Sequence, residues 1–103
     1  MYGMTGKLIA RNGKRGELIA ILKQAADLIA VVPECHMYIV NEDASNDTHV
    51  WVFEVWNDRQ AHDLSLTDER VRSLIAGARP LLAAAPDGAE LKVMGGHGIN
   101  LLD

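Results

Sequence analysis

The chain has 103 residues, ten basic and fourteen acidic, giving a net charge of −4, with 49% hydrophobic and 23% charged residues. That length suits one domain spanning 1–103 with one core, and the composition excludes a disordered or collagen-like chain. The acidic balance disfavours a nucleic-acid partner, because phosphate backbones need a Lys/Arg patch. The single cysteine, Cys35, cannot form an internal disulfide and reads as a small buried apolar residue. With no leader pattern and no apolar run of about 18 residues, the expectation is a cytoplasmic protein without a membrane partner.

Met4–Arg11 predicts a strand ending at Asn12-Gly13, a dipeptide tolerant of positive φ. From Lys14 to Val31 the apolar residues Leu18, Ile21, Leu22, Ala25, Leu28 and Ile29 recur at spacings of three and four, which predicts an amphipathic helix stopped by Pro33. Cys35–Val40 and His49–Trp56 are β-rich and flank the polar stretch Asn41–Thr48, so they read as a hairpin. Asn57-Asp58 offers an N-cap for a short helix through Leu66, and Thr67 with Asp68 and Glu69 caps another. In the latter, Val71, Leu74, Ile75, Ala78, Leu81 and Leu82 form one face, which Pro80 kinks or ends. Pro86-Asp-Gly88 predicts a turn, Ala89–Met94 a half-exposed strand, and Gly95-Gly-His-Gly98 a loose tail. The order β-α-β-β-α-β is the ferredoxin-like α+β arrangement, with helices on one face of an antiparallel sheet.

A sheet covered on one side only should alternate apolar and polar residues. His49–Trp56 does not: Trp51, Phe53 and Val55 point one way while Val50, Val52 and Trp56 point the other. Met37 and Ile39 are likewise opposed to Tyr38 and Val40. The helices suffice for one face, so the second is predicted to pack against another copy, making a homodimer with two sheets face to face.

Only five residues are aromatic, and four of them, Tyr38, Trp51, Phe53 and Trp56, fall within 38–56. Glu54 is out of place in an apolar strand, because an unpaired buried carboxylate costs several kcal/mol. It predicts either a structural ion pair or hydrogen bond, with Lys7, Arg11 or the other subunit, or a carboxyl group held for proton transfer in a dry pocket. Trp56 shares the face of Glu54 and is a candidate wall for stacking a planar ligand. His62, one turn into the following helix, can point into the same cleft and titrates near neutral pH. His36 and Tyr38, two apart on one strand, are candidates to line that pocket. The spacing of His36, His49, His62 and His97 predicts no metal site.

The segment Val52-Phe-Glu-Val-Trp-Asn-Asp-Arg-Gln-Ala61 resembles the antibiotic biosynthesis monooxygenase family, in its Glu-x-Trp ending the third strand, the polar turn, and an Ala one helical turn later. The resemblance extends through Asn12-Gly13-Lys14, the long first helix, Pro33-Glu-Cys35 and the last strand. It implies a dimeric α+β barrel with quinol monooxygenase-like chemistry on a small aromatic quinol or polyketide-like phenol. Such enzymes use O₂ with neither metal nor flavin. The aromatic-polyketide oxygenases have an Asn four residues before the Trp and a Tyr six after it lining the site. Here those positions are Val52 and His62, which makes Val52 a substrate-binding candidate and His62 the candidate base, with Trp56 and Glu54 completing the catalytic set. Ser65 and Arg70 stand where many members carry histidines. The alternative function is non-catalytic binding or sensing of a small molecule on the same fold.

Overall fold

In the computed structural model, which describes residues 1–98, the chain runs β1 (Tyr2–Ile9), α1 (Arg15–Ile29), β2 (Cys35–Glu42), β3 (His49–Trp56), α2 (Arg59–Ser65), α3 (Glu69–Ala78), a 3-10 turn (Arg79–Leu81) and β4 (Asp87–Lys92). The strands form one antiparallel sheet in the order β2-β3-β1-β4, the ferredoxin-like topology. Gly13 turns β1 into α1 with φ +76°, a left-handed conformation that glycine adopts without steric cost. Along α1, Leu18, Ala25 and Ile29 are buried. Ile21 and Leu22 pack against a core cluster of Ala10, Leu18, Val50 and Ala78.

Side-chain capping starts both shorter helices. Asp58 accepts the Ala61 N–H at 2.8 Å to start α2, and Asp68 accepts the Arg70 and Val71 N–H groups to start α3. Asp68 is therefore the cap in place of Thr67, whose hydroxyl donates back to the Leu64 carbonyl.

Register sets the faces. β3 lies between β1 and β2, with Glu54 opposite both Met4 and Tyr38, and Val52 opposite Gly6 and Val40. Tyr2, Met4, Leu8, Tyr38, Val40, Val50, Val52, Glu54 and Trp56 thus share the inner, helix-covered face. Met37, Ile39, Trp51, Phe53, Val55 and Leu91 share the outer one. The two-faced apolar pattern of β3 is real: Val50 and Trp56 are fully buried, while Phe53 on the other face is 40% exposed.

The strand ends differ from the sequence expectation: β1 spans Tyr2–Ile9 and not Met4–Arg11, β2 runs on from Val40 to Glu42, and β4 spans Asp87–Lys92 and not Ala89–Met94. β1 begins at Tyr2 because Tyr2 pairs with both Trp56 and Lys92. β4 begins at Asp87, so Asp87 and Gly88 are strand residues and not part of a turn. Gly88 lies opposite Gly6, and a Cβ there would run into the Thr5 carbonyl. The glycine serves close strand approach.

Candidate active site

Glu54 sits on the inner face in the middle of the sheet. Its Oε1 accepts the Trp56 indole N–H at 3.0 Å and lies 3.9 Å from His62 Nε2. Neither expected ion-pair partner reaches it. Lys7 is on the outer face, its ammonium 5.9 Å from the Trp51 ring centre, and the Arg11 guanidinium donates to the Pro80 carbonyl. Burial raises the Glu54 pKa above the usual carboxyl range, opposed by the Trp56 hydrogen bond and the nearby imidazole. The carboxyl therefore holds its proton more readily than a surface glutamate.

The Asp58 cap fixes α2 so that His62, one turn in, points at the sheet, where only 7% of it is exposed. The ring packs between Tyr2, at 5.4 Å between centres, and the edge of Trp56, at 5.7 Å. Its Nδ1 lies 2.9 Å from Asp63 Oδ1. An ionised carboxylate only accepts, so Nδ1 carries the hydrogen, and in the neutral ring Nε2 then presents a lone pair towards Glu54. Asp63 is held in turn by Arg59 at 3.6 Å. Asp63, His62, Glu54 and Trp56 thus form a chain of polar contacts running from the surface into the core.

Glu54, His62 and Tyr38 line one cavity of about 380 Å³ between sheet and helices, otherwise walled chiefly by apolar side chains such as Leu8, Ile21, Leu22 and Leu74. Burial also pushes the Tyr38 phenol well above its ordinary pKa, so the group is a neutral O–H. Ser65 lines the cavity as well, and its hydroxyl is already committed to the His62 carbonyl at 2.6 Å. The cleft is not filled by the neighbouring Leu64, which lies outside its lining at 68% exposure.

Three candidates lie elsewhere. Trp56 has no exposed surface and is not part of the cavity wall, so it is no open stacking platform but the hydrogen-bond donor packed behind Glu54. Val52 is 5% exposed and buried outside the cavity lining. A β-bulge between Cys35 and Met37 lifts His36 out of register, leaving Cys35 opposite Trp56. His36 is consequently exposed, with Nε2 2.6 Å from Asn57 Oδ1. Arg70 is exposed as well and pairs with Asp68 at 3.0 Å. Among the described residues, no group of three or more His, Cys, Asp or Glu side chains is placed to hold a metal ion.

Sequence reasoning does not single out Tyr2 or Asp63. Tyr2 pairs with Trp56 only because β1 continues two residues beyond its apolar run. Asp63 adjoins His62, and its role depends on the imidazole being turned inward.

The sequence pattern of the antibiotic biosynthesis monooxygenase family matches residues 1–76. The chain belongs to this family. Among solved structures, a proposed antibiotic biosynthesis monooxygenase from Chloroflexus aurantiacus J-10-fl is 39% identical, with a TM-score of 0.86 over 96% of this chain and 98% of that one. A second proposed antibiotic biosynthesis monooxygenase, from Nitrosomonas europaea, has a TM-score of 0.87 at 10% identity, covering 92% of this chain and 100% of that one. A mutant of SnoaB, described as a cofactor-independent oxygenase from Streptomyces nogalater, gives 0.79 at 14% identity, covering 93% and 95%. These last two likenesses show the fold alone. No curated protein gives a significant match. Family membership and the neighbours' names together support a monooxygenase in general terms. No helix among the described residues is long and apolar enough to cross a membrane.

Proposed function

We propose that the protein is a homodimeric monooxygenase that oxidises a small aromatic quinol or polyketide-like phenol with O₂, using the substrate's own electron-rich ring in place of a cofactor. The observation that carries this reading is the meeting of His62 and Glu54, 3.9 Å apart, on the wall of a largely apolar cavity of about 380 Å³.

His62 Nε2 takes the acidic ring proton, and Asp63 stabilises the imidazolium through Nδ1–H. The Tyr38 hydroxyl is the donor available to the substrate oxygen, and Glu54, opposite Tyr38 on the neighbouring strand, shares that wall of the cavity. Low polarity favours passage of one electron from the ionised ring to O₂ and recombination of the radical pair to a carbon peroxide. For an anthrone-type ring, the peroxide takes the proton back from His62 and loses water. The net change is R₂CH₂ + O₂ giving R₂C=O + H₂O.

Oxygen uptake by purified, metal-free protein with a panel of quinols and anthrones tests the reading. His62→Ala should lower turnover by about a hundredfold or more. Full activity in that variant, or no uptake with any substrate, would overturn it. The second reading, binding without turnover, is favoured by Val52, which supplies no hydrogen-bond donor where the aromatic-polyketide oxygenases that the sequence resembles have an Asn. Tight binding of an aromatic ligand without oxygen uptake would establish it.

A further inference from the structure

The cavity has two chemically different ends. Glu54 lies opposite Met4, whereas Leu8, which lines the same cavity, lies opposite Val50. Four residues of strand separate these levels, about 13 Å at ~3.3 Å per residue. The far end is bordered by the 3-10 turn, which is pinned to the end of β1. Arg11 N–H donates to the Leu81 carbonyl, Ala83 N–H donates to that of Ile9, and Ala10 bridges to Leu82.

Arg79, the first residue of that turn, lines the cavity and is the only Lys or Arg among the described residues to do so. Together with Leu66 and Ile75 it also lines a shallow depression on the outer surface of α3, so these three side chains form the rim where cavity meets solvent. Leu66 and Ile75 are 42% and 37% exposed there.

The cation is uncommitted. Arg11 is bound to the Pro80 carbonyl, while Arg15, Arg59 and Arg70 are paired with Glu42, Asp63 with Glu90, and Asp68, respectively. Among the described residues, Arg79 has no acidic partner within ion-pair distance. With a net charge of −4, the protein as a whole repels anions. A free guanidinium at the mouth of an apolar cavity is the local exception, and its planar fork matches a carboxylate.

Resting on the proposed reading of the site, we infer that Arg79 is a specificity-determining residue. It selects a flat aromatic substrate that carries a carboxylate at the end remote from the ring position facing His62. The substrate lies lengthwise, its ionising ring at Glu54 and His62 and its carboxylate at the rim.

Anaerobic calorimetric titration with two matched probes tests this without depending on turnover: anthraquinone-2-carboxylate and neutral 2-methylanthraquinone. The parent protein should bind the carboxylate about tenfold more tightly. Arg79→Gln should abolish that preference while leaving affinity for the neutral probe unchanged, and Arg79→Lys should restore part of it. Equal binding of the two probes by the parent, or a preference that survives Arg79→Gln, would overturn the assignment of Arg79 while leaving the aromatic site standing. If the parent binds neither probe, the aromatic-site reading fails and the assignment falls with it.

Discussion

At the residue scale, Glu54 is held by contacts that neither neutralise it nor leave it in water. Its single hydrogen bond comes from a neutral indole, and its nearest cationic group, His62, is 3.9 Å away and charged only when protonated. The raised pKa has a consequence for stability. A group whose pKa is higher folded than unfolded contributes stability that is complete below the unfolded value, near 4.5, and is lost as pH rises through the folded value. Glu54→Gln removes that loss while keeping an oxygen for the Trp56 N–H. The variant should therefore gain on the parent in urea unfolding as pH rises from about 4.5 towards neutrality. A parent that gains on the variant over that range would show that pairing with protonated His62 outweighs burial.

At the element scale, short local devices place the site. The Asp58 cap orients α2, and with it His62, against the sheet. At the other edge, β4 closes onto β1 through Gly88 opposite Gly6. A methyl group at Gly88 would meet backbone on the partner strand, which can yield only by opening the sheet edge. Gly88→Ala should accordingly cost about 1–3 kcal/mol in chemical unfolding. A turn role, as the Pro86-Asp-Gly88 pattern suggests, would predict a small effect, because Gly88 does not have a positive φ. The pattern misleads because Asp-Gly marks turns by conformational freedom, whereas the need here is space, and space depends on which strand lies alongside.

At the scale of the whole molecule, the outer face of the sheet leaves Ile39, Phe53 and Leu91 at 45%, 40% and 51% exposure. Ile39 and Phe53 lie directly opposite each other on β2 and β3, and this exposed apolar pair, with Leu91 on β4, supports the proposed sheet-to-sheet dimer. Phe53→Glu places a charge in the centre of that face and should leave a folded monomer, read as a halved mass in light scattering at micromolar concentration. A monomeric parent would overturn the dimer, and an unchanged dimeric mass in the variant would place the interface elsewhere. The active-site cavity opens on the opposite, helical side, so the variant should keep its ability to bind an aromatic ligand.

Hydrophobic periodicity, with turn and capping residues, determined the element order, the two-sided apolar character of β3 and the prominence of Glu54, because spacings of two and of three to four residues translate directly into faces. Tertiary structure decided which of those residues meet. It sealed Trp56 behind Glu54, lifted His36 out of register through a bulge, brought Tyr2 from the chain's start onto the His62 ring, and set Arg79 at the rim. Such encounters depend on strand register and on the direction of a turn. Both are set by contacts between segments distant in the chain, which residue spacing does not encode.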